Sequence, residues 1–327
     1  MPDRTLSVAP MMGCTDRHFR YLLRLMSPHA MLYTEMVTTG ALTHGQADNF
    51  LAHHADEPVG LQVGGSDPEQ LALSAKLCEQ AGYQEINLNV GCPSDRVQTG
   101  GIGACLMATP ALVATCFQAM QARVSIPVTI KSRIGIDDLD SYTHFSDFIG
   151  TLYTAGCRIF IVHARKAILS GLSPKDNREI PPLKYDYVYQ IQKEFPEADF
   201  ILNGGIKTTD HALAGLSKLP GVMLGRAIYQ NPFLLGELES SIYTTAQPDK
   251  DAIIRRYRDY MASQLSQGTR LKYMTRHLLG LYLGQPGARA YRRFLSENMF
   301  AETAGIDVFD KACGYISSHH NERATLC

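Results

Sequence analysis

Long apolar runs are missing from this sequence of 327 residues. No uninterrupted apolar stretch reaches the roughly 18 residues that a membrane-spanning helix needs, so we expect no membrane partner. The opening segment MPDRTLSVAP has neither an apolar core region nor a small-residue cleavage site, and we therefore expect a cytoplasmic protein. Hydrophobic residues make up 45% and charged residues 19% of the chain, which excludes a largely disordered protein.

Closely spaced cysteine pairs are missing too. The eight cysteines are scattered and form no CxxC pair, which excludes zinc-ribbon and thioredoxin-like sites. We therefore expect free thiols and no metal site. The sequence also lacks a GxGxxG after a predicted strand and any GxxxxGK[ST]. These absences exclude nicotinamide-binding Rossmann and P-loop sites.

Net charge is almost absent, at −1, which by itself argues against a general nucleic-acid binder. The charge is unevenly distributed, however, because residues 250–295 carry ten Lys or Arg against two acidic residues. Such asymmetry favours a partner that bears phosphate groups. A solvated helical face explains the same charge equally well.

Eight short apolar or β-branched runs recur through the first three quarters of the chain. They begin near Val8, Met31, Val59, Glu85, Pro127, Arg158, Asp199 and Gly221. Amphipathic segments lie between most of them, and proline-led helices are predicted over 68–81 and 110–122. Strands that alternate with helices predict an α/β fold, and eight repeats favour a (β/α)8 TIM barrel over residues 1–243. A doubly wound parallel sheet is the alternative.

The last quarter of the chain has a different pattern. Residues 229–243 predict a helix that caps the barrel, and TTAQPDKD at 244–251 predicts a linker. Beyond the linker, apolar residues recur at helical spacing, with further helices predicted over 276–283 and 288–295. We therefore expect a small all-helical C-terminal domain over 252–327, which contains the basic stretch.

Polar or glycine-rich residues follow each predicted strand, at the end where TIM barrels build their active sites. The glycines after strands seven and eight are suited to bind phosphate through backbone N–H groups, although tight turns would also need them. Such a barrel admits flavin mononucleotide (FMN). Lys131 would then stabilise an anionic flavin edge, and Gln62 offers a donor and an acceptor to the ring. A Schiff-base lysine is the competing interpretation of Lys131.

The most specific segment is EINLNVGCPSDRVQTGGIGACL at residues 85–106, where a cysteine follows a strand and precedes a loop that predicts a hinged lid. Further motifs occur in order along the chain. They include APMMGCTDRHFR (9–20), LQVGGSDP (61–68), NREIPPL (177–183) and VMLGRA (222–227). On these motifs the chain resembles the tRNA-dihydrouridine synthase family over nearly its whole length, most closely the bacterial A subfamily.

The resemblance implies an FMN-binding barrel and a C-terminal domain that binds tRNA. It implies NADPH-dependent reduction of the C5=C6 bond of uridines at positions 20 and 20a of the D-loop. The implied cofactor-binding residues are Pro10, Met11, Met12, Gln62, Lys131, His163, Asn203, Gly204, Gly205, Gly225 and Arg226. Our candidates for tRNA contact are Asn89 on the uracil edge and Lys175, Arg178, Tyr291, Arg292 and Arg293 on phosphates. Arg178 lies in a family motif, whereas the last three are predicted mainly from charge.

Cys92 matches the family's proton donor. Hydride from the reduced flavin to C6 of uracil leaves negative charge that must be protonated at C5. An ordinary thiol, with a pKa of about 8.5, is mostly protonated at neutral pH and can act as a general acid. The target uridine would have to flip out of the folded tRNA.

Two other functions remain open. One is an FMN barrel oxidoreductase that acts on a free small molecule, and the other is a non-catalytic tRNA-binding protein on a barrel scaffold. We expect the protein to be a monomer.

Overall fold

The computed structural model describes residues 2–45, 47–53 and 56–324, with the side chains of all of these except residues 96 and 317–324. The chain forms two compact units. The first contains the residues up to Arg17 together with His29–Gly225, and the second contains His18–Pro28 and the residues from Arg226 onward. The functional domain boundaries at residues 243 and 252 remain a prediction.

The first unit is built around eight parallel strands. They are β1 Leu6–Val8, β2 Leu32–Thr38, β3 Val59–Gly64, β4 Glu85–Val90, β5 Val128–Arg133, β6 Ile159–His163, β7 Asp199–Asn203 and β8 Gly221–Leu224. Their order in the sheet is β1-β8-β7-β6-β5-β4-β3-β2. A parallel bridge between Ser7 and Met31 joins the two ends of the sheet. The predicted (β/α)8 barrel is thus confirmed, and the doubly wound sheet is excluded.

Fifteen α-helices occur among the described residues. They are α1 Arg17–Met26, α2 Thr39–Thr43, α3 Ala47–Leu51, α4 Pro68–Gln80, α5 Asp95–Thr99, α6 Pro110–Gln121, α7 Tyr142–Thr154, α8 Tyr185–Glu194, α9 Thr209–Leu216, α10 Arg226–Gln230, α11 Phe233–Tyr243, α12 Lys250–Ser266, α13 Lys272–Thr275, α14 Ala288–Asn298 and α15 Ile306–Ala324. The predicted helix α4 starts where Asp67 accepts a hydrogen bond from the Gln70 N–H and Pro68 occupies the first turn. No helix in the described part of the chain is long and apolar enough to cross a membrane.

The barrel interior has an apolar side and a polar side. Strands β1, β2, β6, β7 and β8 and the residues next to them supply a buried apolar cluster of Ala9, Met31, Tyr33, Ile159, Ile161, Ile201 and Met223. Strands β3, β4 and β5 instead supply the buried polar side chains of Gln62, Glu85, Asn87 and Thr129. Most TIM barrels fill this space with layers of branched apolar side chains, so the polar side is unusual.

The second unit is helical and has its own core. Its most deeply buried side chains include Phe19 on α1, Tyr257 and Met261 on α12, and Tyr291 and Leu295 on α14. They recur at helical spacing, which places them on one face of each helix.

Several predicted element bounds were wrong. Strand β1 ends at Val8 rather than starting there, because Pro10 lacks the N–H that a strand would use. The helix predicted over 229–243 is interrupted before Phe233, where Pro232 cannot continue α10. Helix α12 begins inside the predicted linker, since Asp249 caps its first turn. Residues 276–283 form a short 3-10 turn, Arg276–Leu278, followed by turns rather than an α-helix.

Candidate active site

The predicted site residues of the first unit gather at the carboxyl end of the barrel. Gln62, Asn89 and Lys131 lie on β3, β4 and β5, and His163 and Asn203 are the last residues of β6 and β7. Parallel strands of a barrel end at the same face, so these side chains converge although they are far apart in sequence.

Cys92 lies on the turn that follows β4, and this turn is anchored on both sides. The Cys92 N–H donates to Asn89 Oδ1 at 2.9 Å, and the Cys92 carbonyl accepts from the Ala104 N–H at 2.9 Å. Among the side chains that the structure describes, the only hydrogen-bonding contact of the thiol is one of 3.5 Å with the Ser94 hydroxyl. The backbone of Cys92 is therefore held in place while its sulfur remains half-buried at the barrel mouth.

The amide of Asn89 is largely occupied by the protein. Its oxygen accepts from the N–H groups of Gly91 and Cys92, and its nitrogen donates to Gln62 Oε1 at 2.9 Å. Gln62 in turn donates to Asn87 Oδ1 at 2.8 Å and is 1% exposed. Asn89 and Gln62 thus keep only part of their hydrogen-bonding capacity for a ligand.

Lys131 places a cation inside the barrel. Its Nζ donates to Asn203 Oδ1 at 3.0 Å, and Asn203 Nδ2 donates to the Met223 carbonyl. Burial lowers the pKa of Lys131 to about 7, and the charge of Arg133 acts in the same direction. No carboxylate forms an ion pair with Lys131 among the residues that the structure describes, so the site has unbalanced positive charge.

Gly204 and Gly205 follow β7 with φ angles of +112° and +70°. A Cβ atom on Gly204 would lie 2.5 Å from His163 Cδ2, and one on Gly205 would lie 2.6 Å from Leu183 Cδ1. Only glycine fits these positions, because the side chains of His163 and Leu183 occupy the space where a Cβ atom would lie. His163 stays neutral at neutral pH, because its pKa is lowered well below the usual range by burial and by surrounding cations. Those cations are Arg133, Lys131, Arg165 and Arg178.

Arg133 is an important residue to which sequence analysis assigned no role. Its buried guanidinium donates to the carbonyls of Gly91, Lys166 and Asn177 at 2.8 to 3.0 Å. These bonds link the Cys92 turn to the loop that follows β6. The alternation TIKSR in β5 places Arg133 on the same strand face as Lys131, and that spacing was the available signal.

The remaining predicted residues of the first unit differ in exposure. Pro10 and Met11 are half-buried, and Met11 packs against the apolar side of the barrel interior, whereas Met12 is 64% exposed. Lys175 and Arg178 are exposed on the loop after β6, beside the buried side chain of Asn177.

Four predicted residues lie in the second unit. Arg226 is the first residue of α10. Arg292 and Arg293 are exposed on α14, and Arg292 Nε donates to the Leu279 carbonyl. Tyr291 is only 1% exposed and its hydroxyl donates to the Leu278 carbonyl, so it packs inside its own unit and does not present its side chain to a ligand. Tyr291 is a neighbour of the arginines in sequence, but the helical period places its side chain on the buried face of α14 and theirs on the exposed face.

These residues fit a flavin that carries a phosphate. The half-buried ammonium of Lys131 lacks an anionic partner in the described structure, which suits an anionic ligand, and the glycines after β7 keep the backbone there free of side chains. The fold is that of the TIM-barrel enzymes, which build their active sites at this carboxyl end and frequently bind phosphate after strands seven and eight.

Comparison with known proteins identifies the family. The model of the dihydrouridine synthase family matches residues 7–313, and the chain belongs to this family of flavin-dependent oxidoreductases. It is 54% identical over 322 residues to the tRNA-dihydrouridine(20/20a) synthase of Escherichia coli K12, covering 95% of this chain and 93% of that protein.

Two further relatives carry the same name. The protein of Vibrio cholerae is 55% identical over 315 residues, covering 95% of this chain and 96% of its own. The protein of Shewanella oneidensis is 53% identical over 308 residues, covering 94% of this chain and 92% of its own.

Proposed function

We propose that this protein reduces uridine to 5,6-dihydrouridine at positions 20 and 20a of the tRNA D-loop, with FMN as bound cofactor and NADPH as reductant. The single observation that carries the proposal is the anchored turn that presents the Cys92 thiol at the mouth of a cationic barrel. Its relatives bear names with the same substrate and positions. A monomer in the cytoplasm is part of the proposal.

The cofactor would be held by residues from several strand ends. Met11 would pack on the ring, and Lys131 would face its anionic edge. Gly204, Gly205 and Gly225 would leave backbone N–H groups to the phosphate, and Arg226 would add a charge-assisted contact. When bound, reduced FMN supplies the hydride for C6 of the uracil.

Cys92 would act as the general acid. Its thiol gives a proton to C5 of the uracil, while the hydrogen bonds at its N–H and carbonyl fix where the sulfur lies. Lys131 and Arg133 carry positive charge near this position, which stabilises the negative charge that develops on the uracil before protonation.

The tRNA would be positioned by exposed cations and would flip the target base into the barrel mouth. Lys175 and Arg178 on the loop after β6, and Arg292 and Arg293 on α14, are exposed and suited to contact phosphates. Asn89 retains one N–H for the uracil edge. Tyr291 is left out of this proposal because it is buried.

An anaerobic half-reaction tests the proposal directly. The flavin of the purified protein is reduced with NADPH, excess reductant is removed, and tRNA lacking dihydrouridine is added while flavin absorbance is followed. We expect rapid reoxidation by tRNA and none by free uridine. Flavin that stays reduced with tRNA would favour an oxidoreductase for small molecules, and protein without flavin would overturn the cofactor assignment.

A further inference from the structure

The polar side of the barrel interior forms a continuous chain of hydrogen bonds. It starts at Glu85, the first residue of β4, which is fully buried and forms an ion pair with Arg4 at 2.6 Å. Thr129 Oγ1 donates to Glu85 Oε1, and Asn87 Nδ2 donates to Thr129 Oγ1 at 2.8 Å. Asn87 and Thr129 are both 0% exposed.

The chain continues without a break to the turn that carries the thiol. Gln62 Nε2 donates to Asn87 Oδ1 at 2.8 Å, and Asn89 Nδ2 donates to Gln62 Oε1 at 2.9 Å. Asn89 Oδ1 then accepts from the backbone N–H groups of Gly91 and Cys92. Every bond in the chain therefore donates in one direction, from the Cys92 turn toward Glu85.

The direction of this chain is determined at both ends. The carboxylate of Glu85 can only accept, and the peptide N–H groups of Gly91 and Cys92 can only donate. Between these ends, reversing any one amide would place two donors or two acceptors face to face. Such a mismatch leaves buried polar groups unsatisfied, which is much less favourable than the loss of an exposed hydrogen bond.

Packing alone does not require this polarity. The strands on the apolar side fill the same barrel interior mainly with Ile, Met and Ala side chains, and Tyr33 among them donates its hydroxyl to Glu85 Oε1 at 2.7 Å. A buried ion pair with attached polar groups seldom adds stability over apolar residues of similar volume. The chain of hydrogen bonds therefore has a role other than filling space, and the end of it that lies at the barrel mouth is the backbone of Cys92.

We propose that Glu85, Asn87 and Thr129 are positioning residues that set the orientation of the Gln62 and Asn89 amides and, through Asn89, the place of the Cys92 turn. None of the three lies at the barrel mouth, and they act on the reaction only through the residues above them. The inference rests on the proposed function because it takes Cys92 as the proton donor. The effect of these residues on the position of the Cys92 backbone does not depend on which substrate binds.

Thr129 offers a matched pair of variants that separates hydrogen bonding from packing. Thr129→Val keeps the branched shape and loses the hydroxyl, whereas Thr129→Ser keeps the hydroxyl and loses a methyl group. If the chain positions Cys92, the valine variant is impaired and the serine variant is close to wild type. If Thr129 only packs, the serine variant is affected as much as the valine variant or more.

The first readout does not depend on activity. Hydrogen–deuterium exchange of the peptide containing Gly91 and Cys92 is measured in the purified holoprotein. We expect exchange to be faster by about tenfold in Thr129→Val, because the acceptor at Asn89 is no longer held. If these amides exchange at the same rate in Thr129→Val as in the wild-type protein, the inference is wrong.

The second readout is reoxidation of the reduced flavin by tRNA, expressed per bound flavin. We expect Thr129→Val to slow this step by about tenfold with little change in the tRNA concentration at half-maximal rate, and Thr129→Ser to restore it. Equal rates for the two variants would overturn the inference. Failure of the wild-type protein to react with tRNA would instead overturn the proposed function, and the exchange experiment would still decide the inference.

Should Thr129→Val not fold, Thr129→Ala compared with Thr129→Ser applies the same two readouts. Thermal unfolding of each variant shows whether loss of stability accompanies the change. A change in exchange that is spread over the whole barrel, rather than concentrated at residues 91–92, would contradict a positioning role.

Discussion

At the scale of single residues, the site combines a held backbone with an available side chain. The Cys92 N–H and carbonyl both form hydrogen bonds, while its sulfur forms, within the described part of the chain, only the weak contact with Ser94. Lys131 is the opposite case, because its charged group is buried beside Asn203 and has no anionic partner in the described structure. In the proposed mechanism, Cys92 would give a proton and Lys131 would hold a negative charge.

Replacing Cys92 tests the first role. We expect Cys92→Ala to slow flavin reoxidation by tRNA by about 10²–10⁴-fold, the usual worth of a general acid, with flavin reduction by NADPH nearly unchanged. Cys105→Ala is the matched control, since Cys105 lies farther along the same segment and donates to the Ile102 carbonyl. Stopped-flow absorbance measures both half-reactions. An equal decline of both in Cys92→Ala would contradict the proton-donor role.

The pH dependence of flavin binding tests the second role. Without cofactor Lys131 has a pKa of about 7, so the ammonium is progressively lost as the pH rises above 7. The reduced flavin ring is anionic, whereas the oxidised ring is neutral, so the affinity for reduced FMN should fall between about pH 7 and pH 9 and that for oxidised FMN should change less. Anaerobic titration of the apoprotein with reduced FMN, followed by absorbance, measures it.

Lys131→Met is the comparison for that titration. It removes the titrating group while keeping a side chain of similar length, so the fall in affinity above pH 7 should be weaker. The phosphate of FMN titrates equally in both proteins and cancels in the comparison. Parallel pH profiles would show that Lys131 does not hold the cofactor.

At the scale of elements, the segment from Asp95 to Ala108, predicted to be a hinged lid, packs against the Cys92 turn. Gly103 approaches so closely that a Cβ atom on it would lie 2.5 Å from the Cys92 carbonyl oxygen. Gln98 Nε2 donates to the carbonyls of Pro93 and Leu169, which ties the segment to the loop after β6. Arg133 joins the Cys92 turn to the same loop after β6, through the carbonyls of Gly91 and Asn177.

Two glycines of this segment form a matched pair. Gly103 and Gly101 have φ angles of +80° and +63°, but a Cβ atom on Gly101 would meet nothing within 4 Å. We expect Gly101→Ala to lower the free energy of unfolding by about 1 kcal/mol through its backbone conformation alone. Gly103→Ala should also displace the Cys92 turn and slow the tRNA half-reaction by about tenfold or more. Similar rates for the two variants would contradict this account of the segment.

At the scale of the whole molecule, charge is separated between the segments of a nearly neutral chain. Arg289, Arg292 and Arg293 on α14 are all exposed, and so are Lys175 and Arg178 in the first unit. Cations that bind phosphates release counterions, which makes binding depend on salt. Salt dependence therefore distinguishes arginines that contact tRNA phosphates from arginines on a solvated helical face.

Removing two of these charges tests the role. We expect Arg292→Gln/Arg293→Gln to weaken tRNA binding and to reduce the slope of log affinity against log salt by about 0.9 for each duplex phosphate that the protein no longer neutralises. Lys76→Gln/Lys193→Gln removes the same charge from exposed positions on α4 and α8, which are not among the proposed tRNA contacts. Fluorescence anisotropy of labelled tRNA at several salt concentrations measures both. Equal slopes for the two double variants would contradict the assignment.

The sequence by itself determined the repeated architecture and the position of the thiol. Local periodicity is sufficient for eight strands and for proline-led helices such as α4 and α6, and the motif around Cys92 resembles the family over a continuous segment. The tertiary structure decided which side chains meet. The bond between Gln62 and Asn89 and the three carbonyls on Arg133 depend on the register of neighbouring strands, which no local pattern contains.

Tyr291 is a case in which the sequence led to a wrong prediction and the tertiary structure corrected it. Charge placed it in a basic segment, but only the packing of α14 buried it beneath the exposed arginines. Which side chains contact each other depends on how distant segments of the chain are arranged in space. Whether a segment forms a helix or a strand, and which chemical groups it carries, depends on its local sequence.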